Sequence, residues 1–186
     1  MRSGLFRRLK LVKFCLCLSG ILLLFSCAHI RKTSAEETLW QTCFSPEENC
    51  ADQIVTAIES AQSSIFLQAY SFTSSQIANA LLRANKRGVH VEVILDKSAR
   101  AAKYSSGDVL ANKGIPVYID STHATANDKV ILIDEERVIT GSPNLTKPSL
   151  ENNGENLLFL RHKVIAKRYL ENWKRHRKHS ESYTGQ

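Results

Sequence analysis

Between residues 123 and 144 the chain reads HATANDKVILIDEERVITGSPN, a stretch in which three side chains suit one task. Lys129 offers a point positive charge, while Ser142 and Asn144 offer uncharged, directed hydrogen bonds. That combination fits the oxygens of a phosphate group held without a metal. Each residue alone is an ordinary strand-end or turn residue. The reading therefore rests on the pattern K-x4-D-x6-G-S-x-N, which brings Lys129, Asp134, Gly141, Ser142 and Asn144 into one spacing.

Those side chains meet only if the segments carrying them are neighbouring strands. KVILID and RVITGS are short apolar runs joined by a polar turn at Glu135 and Glu136, and they predict strands over 129–134 and 137–142, with ENLLFL predicting another over 155–161. Upstream, strands are expected over 64–70, 89–95 and 115–120. Helical patterns separate them: SSQIANALLRANKRG opens on cap residues and closes on Gly88, and GDVLANKG fits a short helix. A helix over 46–61 is expected from Ser45 as N-cap, Pro46 at the first helical position and Ile54, Val55 and Ile58 on one face. A terminal helix over 162–179 puts Val164, Ile165, Tyr169, Leu170 and Trp173 on one side. This rhythm predicts an α/β sandwich, a mixed and mostly parallel sheet between helices, in one domain.

The chain has 186 residues and a formal charge of +7, from 25 basic and 18 acidic residues. Five of the basic residues, Arg2, Arg7, Arg8, Lys10 and Lys13, fall in the first 27 positions, so removing them from 25 leaves 20 against 18 acids. The rest is mildly basic. The N-terminal segment reads as an export signal, with a positive stretch followed by the apolar run FCLCLSGILLLFS. LFSC resembles the bacterial lipoprotein signal and makes Cys27 the lipidation candidate; an uncleaved helical anchor and an ordinary cleavage site are the alternatives. The boundaries expected are a signal over 1–27, a polar tether over 28–42 and one domain carrying the phosphate-binding pattern over 43–186, exported to the periplasm or held at the membrane. Outside the cytoplasm Cys43 and Cys50 are disulfide candidates, against a reading as two free thiols.

The pattern resembles the phospholipase D superfamily, whose mark is H-x-K-x4-D-x6-G-S-x-N. Every position but the first matches, and Asn127 stands where the histidine belongs. QAYSFTS at 68–74, RGVHVEVILD at 87–96 and ENNGENLL at 151–158 are similar to the small single-motif bacterial nucleases of that superfamily, so the resemblance covers roughly residues 43–172. It implies a homodimer with one shared active site, no cofactor and no metal. One histidine attacks phosphorus and the other protonates the leaving oxygen. By the same resemblance Asn127, Lys129, Asp134 and Glu155 fall among the catalytic positions, and Lys129, Ser142 and Asn144 hold the phosphate oxygens. Glu155 corresponds to the acid that orients the histidine, and Asp134 is weighted towards a structural role.

An amide neither attacks phosphorus nor cycles a proton near neutral pH, so Asn127 removes the nucleophile. Loss of a nucleophile costs on the order of 10⁴-fold or more in turnover. His123 stands four residues upstream, roughly 13 Å of extended chain, and substitutes only if the intervening segment folds back. Three functional classes follow. The first is a phosphodiesterase acting on nucleic acid, DNA with RNA as the alternative, impaired here by Asn127. The second is a membrane-tethered phospholipase D acting on lipid head groups, and the third is a non-catalytic phosphate-binding module. The basic run KRHRKH at 174–179 suits backbone phosphates or a solvated helix end. Tyr70 and Phe72 suit base stacking or the core.

Overall fold

The computed structural model describes residues 39–102 and 105–185. The expected signal, Cys27 and most of the expected tether lie outside the described residues. Eight strands form one sheet in the order β1-β7-β6-β5-β2-β3-β4-β8. They are β1 (Trp40–Ser45), β2 (Ser64–Ala69), β3 (His90–Asp96), β4 (Val117–Asp120), β5 (Lys129–Ile133), β6 (Arg137–Gly141), β7 (Glu155–Arg161) and β8 (Glu181–Tyr183). The described helices are α1 (Cys50–Glu59), α2 (Ser75–Lys86), α3 (Ser106–Asn112), α4 (Lys147–Glu151) and α5 (Lys163–His179), with a 3-10 turn at Lys97–Arg100.

The α/β sandwich is as expected, but its sheet is mostly antiparallel rather than mostly parallel. Only β2–β3 and β3–β4 pair in parallel. The other pairings, β1–β7, β2–β5, β4–β8, β5–β6 and β6–β7, are antiparallel. The reason is connection length. The β-α-β crossovers stop at β4, and beyond it the short turn at 134–136 folds β6 directly back on β5, which a parallel pairing does not permit.

Alternation along the central strands sorts side chains to two faces. Ile65 and Leu67 of β2, with Ile131 and Ile133 of β5, pack with Ile54 and Ile58 of α1 and Ile77 and Leu81 of α2. Phe66, Val130, Leu132 and Val138 turn the other way and meet Ala166, Leu170 and Trp173 of α5. Trp173 is 3% exposed, lies with its ring centroid 4.9 Å from that of Phe66 at a tilt of 52°, and donates its indole N–H to the Leu67 carbonyl at 3.1 Å. Burying one such aliphatic side chain stabilises by about 1.5–3 kcal/mol, so these two layers hold the strand ends in register.

Two boundaries move. β1 begins at Trp40 and runs antiparallel to β7 from Trp40↔Leu160 to Ser45↔Glu155, so residues 40–42 belong to the sheet and not to a tether. The first helix begins at Cys50 rather than 46, because residues 45–49 turn instead: Glu48 N–H donates to the Phe44 carbonyl and Cys50 N–H to the Glu48 carbonyl, both at 2.9 Å. Asn49 then caps α1 by accepting from Asp52 N–H. Cys43 and Cys50 are joined across that turn by a disulfide, with Cα atoms 5.8 Å apart. Among the described residues no helix is long and apolar enough to cross a membrane.

Candidate active site

The parallel strands β2, β3 and β4 end where β5 begins and where β6 ends, so one end of the sheet collects Ala69, Asp96, Asp120, Lys129 and Gly141. Lys129 pairs with Ala69 across the β2–β5 ladder, and Gly141 pairs with Leu157 across β6–β7. Gly141 is required there by space. A Cβ on it would lie 2.0 Å from the Asn156 carbonyl oxygen, a backbone atom with no room to yield. That close approach lets Ser142 reach β7: its hydroxyl donates to Glu155 at 2.5 Å and accepts from the Asn156 N–H at 3.1 Å. Asn153 donates to the other Glu155 oxygen at 3.3 Å.

Asn127 and Lys129 form a second bonded pair. The Lys129 ammonium donates to the Asn127 backbone carbonyl at 3.0 Å and to its side-chain amide oxygen. It also lies 5.8 Å from the centroid of the Tyr70 ring. Among the described residues Lys129 makes no ion pair, so its charge is not cancelled by a carboxylate.

The segment carrying Asn127 is pinned on both sides. Ala126 N–H donates to the buried Asp96 carboxylate at 2.8 Å, and Tyr70 N–H donates to the Asp128 carbonyl at 3.1 Å. The Asp128 carboxylate accepts from the buried Gln68 amide at 3.0 Å. Burial works to raise the Asp96 carboxyl, but the amides of Ser98 and Ala126 outweigh it and hold the group below the usual carboxylate range. Sequence reasoning passed over Asp96, Gln68 and Asp128. Their signal was an acid closing the apolar run VEVILD and a glutamine inside SIFLQA, a buried polar group that must have a partner.

The remaining candidates divide. Asn144 sits in the turn after β6, its carbonyl accepting from Thr146 N–H at 2.8 Å, and its side-chain oxygen is buried without a hydrogen-bond partner. It bonds to neither Lys129 nor Ser142. Asp134 is not in the site. It lies at the far end of β5 with φ of 55°, where its carboxylate accepts the amides of Gln62, Ser63 and Ser64 and the guanidinium of Arg137. Its place among the catalytic candidates therefore gives way to the structural role. His123 turns away from Asn127 as well, its ring Nδ1 2.9 Å from Asp120. Phe72 is 3% exposed and belongs to the core, whereas Tyr70 is half-buried beside Lys129. Within the basic run, Arg177 lies over the Tyr118 ring at 3.3 Å, leaving Lys174, Arg175 and Lys178 exposed.

An ammonium that makes no ion pair among the described residues, at the same sheet end as a hydroxyl–carboxylate pair, is an arrangement that can receive an anion. Comparison with known proteins agrees with that geometry. Residues 54–177 match the family described as cardiolipin synthase, PLD-like domain. A phospholipase D of Rickettsia prowazekii is 42% identical over 132 residues, covering 71% of this chain and 64% of the relative, so the chain spans somewhat under two thirds of that protein's length. The mitochondrial cardiolipin hydrolase of Mus musculus is 31% identical over 128 residues, 69% of this chain and 58% of the relative. The crystal structure of Nuc from Salmonella typhimurium, a phospholipase D family member, superposes with a TM-score of 0.75 at 36% identity, over 77% of this chain and 97% of that one. The motif at 127–144, the strand-end geometry and a family match over most of the folded residues lead to one conclusion: the chain belongs to the PLD-like domain family of the phospholipase D superfamily.

Proposed function

We propose that the domain is built to hydrolyse nucleic-acid phosphodiesters and that, with Asn127 in the nucleophile's place, it binds this substrate but turns it over poorly. The observation that carries the reading is the Lys129 ammonium, bonded to Asn127 and without an ion pair among the described residues, at the same sheet end as the Ser142–Glu155 pair. Lys129 and Ser142 hold phosphate oxygens, and Asn144 contributes its amide once substrate draws the turn inwards. With histidine at 127, Glu155 leaves the Ser142 hydroxyl and accepts the second ring N–H, fixing the tautomer that attacks phosphorus. The leaving oxygen takes its proton from the second histidine of a homodimer, and water then splits the phosphohistidine. Exposed Lys174, Arg175 and Lys178 on α5 supply a salt-sensitive contact to backbone phosphates. Export and a lipid tether at Cys27 belong to the same proposal.

A lipid substrate is the second reading, favoured by the names of the phospholipase D and cardiolipin hydrolase relatives. The experiment is Asn127→His, assayed on DNA and on cardiolipin vesicles in the presence of EDTA. Cleavage of DNA alone, lost again with Lys129→Ala, supports the nuclease reading, and cleavage of lipid alone replaces it. The chain as written is expected to bind DNA, more weakly as salt rises. Mixing tests the shared site: when Asn127→His protomers are diluted with excess unaltered chain, activity per repaired subunit should collapse. Full retention overturns the two-histidine mechanism, and no cleavage of either substrate leaves a phosphate-binding module.

A further inference from the structure

Asp120, His123, His176 and His179 form a cluster outside the phosphate site. Asp120 ends β4, and its side chain is wholly buried. His123 follows in the segment leading to Asn127, whereas His176 and His179 lie one turn apart at the end of α5, on one face of that helix. Three ring nitrogens converge on a single carboxylate oxygen, Oδ2 of Asp120: Nδ1 of His176 at 2.7 Å, Nδ1 of His123 at 2.9 Å and Nε2 of His179 at 3.2 Å. The rings crowd one another, with centroids 4.7, 5.2 and 5.4 Å apart.

Simple hydrogen bonding accounts poorly for this. One carboxylate oxygen directs two lone pairs, yet three rings aim at it while Oδ1 accepts the Thr122 N–H at 3.1 Å. The second oxygen is thus spoken for by backbone, which fixes the carboxylate plane and leaves Oδ2 facing the rings, as an outer-shell partner does for a metal ligand. All four donor atoms lie within 4.8 Å of one another. A tetrahedral zinc with ligands near 2.0–2.1 Å needs ligand atoms roughly 3.3 Å apart, so the side chains need move by only on the order of 1 Å to enclose it. Three imidazoles and one carboxylate make a borderline-soft, four-coordinate set, which suits zinc and excludes the oxygen-seeking magnesium and calcium.

We propose that Asp120, His123, His176 and His179 bind one zinc-type divalent transition-metal ion, a structural clamp that ties α5 to the end of β4 and to the segment carrying Asn127. The clamp sits where the chain closes. β8 begins two residues after His179 and pairs with β4 from Ile119↔Glu181, so the ion would fasten the last helix and last strand to the sheet together. It also holds the start of the segment whose far end Asp96 grips at Ala126. With four protein ligands no open position is left for substrate, so the ion takes no part in cleavage. EDTA should lower thermal stability while leaving cleavage by Asn127→His intact below the transition.

The test uses the full chain, stripped with chelator and titrated with zinc by competition against a chromophoric chelator. One equivalent should bind with a micromolar or tighter Kd, and zinc at a hundred-fold excess over that Kd should raise the thermal midpoint by on the order of 5–10 °C. Cobalt should give the visible bands of a tetrahedral site without near-ultraviolet thiolate charge transfer, which separates the cluster from any contribution of the cysteines. The paired variant His176→Gln/His179→Gln keeps ring-sized polar groups on the helix end. It should lose the equivalent and the shift while retaining the native circular dichroism. Should that variant misfold, Asp120→Asn supplies the same comparison with shape preserved. Absence of bound zinc in the unaltered chain, or undiminished zinc and cobalt spectra in the folded variants, overturns the proposal.

Discussion

Replacing Asp134 by alanine tests whether this motif acid builds the fold or the reaction. Its carboxylate accepts from the amides of Gln62 at 3.0 Å, Ser63 at 2.8 Å and Ser64 at 3.2 Å, from the Ser63 hydroxyl at 3.0 Å and from Arg137 at 3.2 Å. A hydrogen bond to a charged group contributes about 1.5–3 kcal/mol, but these share one carboxylate and are not additive. The side chain is 15% exposed, so water replaces part of what alanine removes. Alanine also tolerates the φ of 55° less well than aspartate. The net cost should be about 3 kcal/mol, which for a domain of this size lowers the thermal midpoint by about 6–12 °C. Burial works to raise the Asp134 carboxyl, and the amides of Ser63, Ser64 and Gln62 outweigh it, so the folded value lies below the ordinary one. A depressed folded value means stabilisation present in full above the unfolded value of about 3.9 and lost as pH falls through the folded one. Urea unfolding followed by far-ultraviolet circular dichroism at pH 7, 5 and 3 should therefore show a gap between wild type and Asp134→Ala that holds from pH 7 to 5 and narrows by pH 3. No gap at pH 7, or an equal gap at all three, refutes the argument. In the Asn127→His background the alanine variant should keep its cleavage rate below the transition, since Asp134 stands at the opposite end of β5 from Lys129.

Gly141→Ala should fail at the site rather than merely weaken the domain, because its Cβ meets the Asn156 carbonyl oxygen at 2.0 Å and must push β6 and β7 apart; in the Asn127→His background DNA cleavage should fall at least ten-fold, and near-native rate and midpoint would contradict that geometry. Changing Cys43 and Cys50 together to serine opens a short loop with a sequence separation of 7, for which chain entropy gives about 2.5 kcal/mol, read as a fall of about 5–10 °C in the melting midpoint. Mass spectrometry of the oxidised, denatured chain should find neither of those two thiols open to alkylation.

The half of the fold from β2 to β4 was legible because each strand is a short apolar run and each helix carries its own caps, as Ser74 does by accepting from Ile77 N–H. Edge strands lack that signal. β1 exposes Trp40 and Phe44, at 61% and 51%, and β8 is three mostly exposed residues, so both are strands by virtue of their partners β7 and β4 rather than of their own pattern. The start of α1 was misplaced for a related reason. Ser45-Pro46 has the composition of a helix start, but the disulfide and the 45–49 turn claim those residues first, and Asn49 takes over the cap.

The candidate site shows the same division between what neighbours in sequence specify and what only the fold assembles. Lys129 and Ser142 were legible through their spacing, since one hairpin suffices to bring them to a common edge, whereas Glu155 entered only through the family resemblance and meets Ser142 across the β6–β7 ladder. Asp120 with His123, and His176 with His179, are also short-range pairs, yet each is unremarkable alone: an acid after a strand, and two histidines in a basic helix end. They become one cluster only because α5 packs through Trp173 on Phe66 and the chain then returns as β8 beside β4. A core contact at Trp173, three residues before His176 and so within one turn of it along the helix, thus sets where the rings converge. Loosening that packing by Trp173→Ala should therefore weaken zinc binding although tryptophan ligates nothing, whereas a surface change at Lys174, one residue on and facing solvent, should leave it untouched. Equal zinc affinity in the two variants would mean that the four side chains find one another without the core's help.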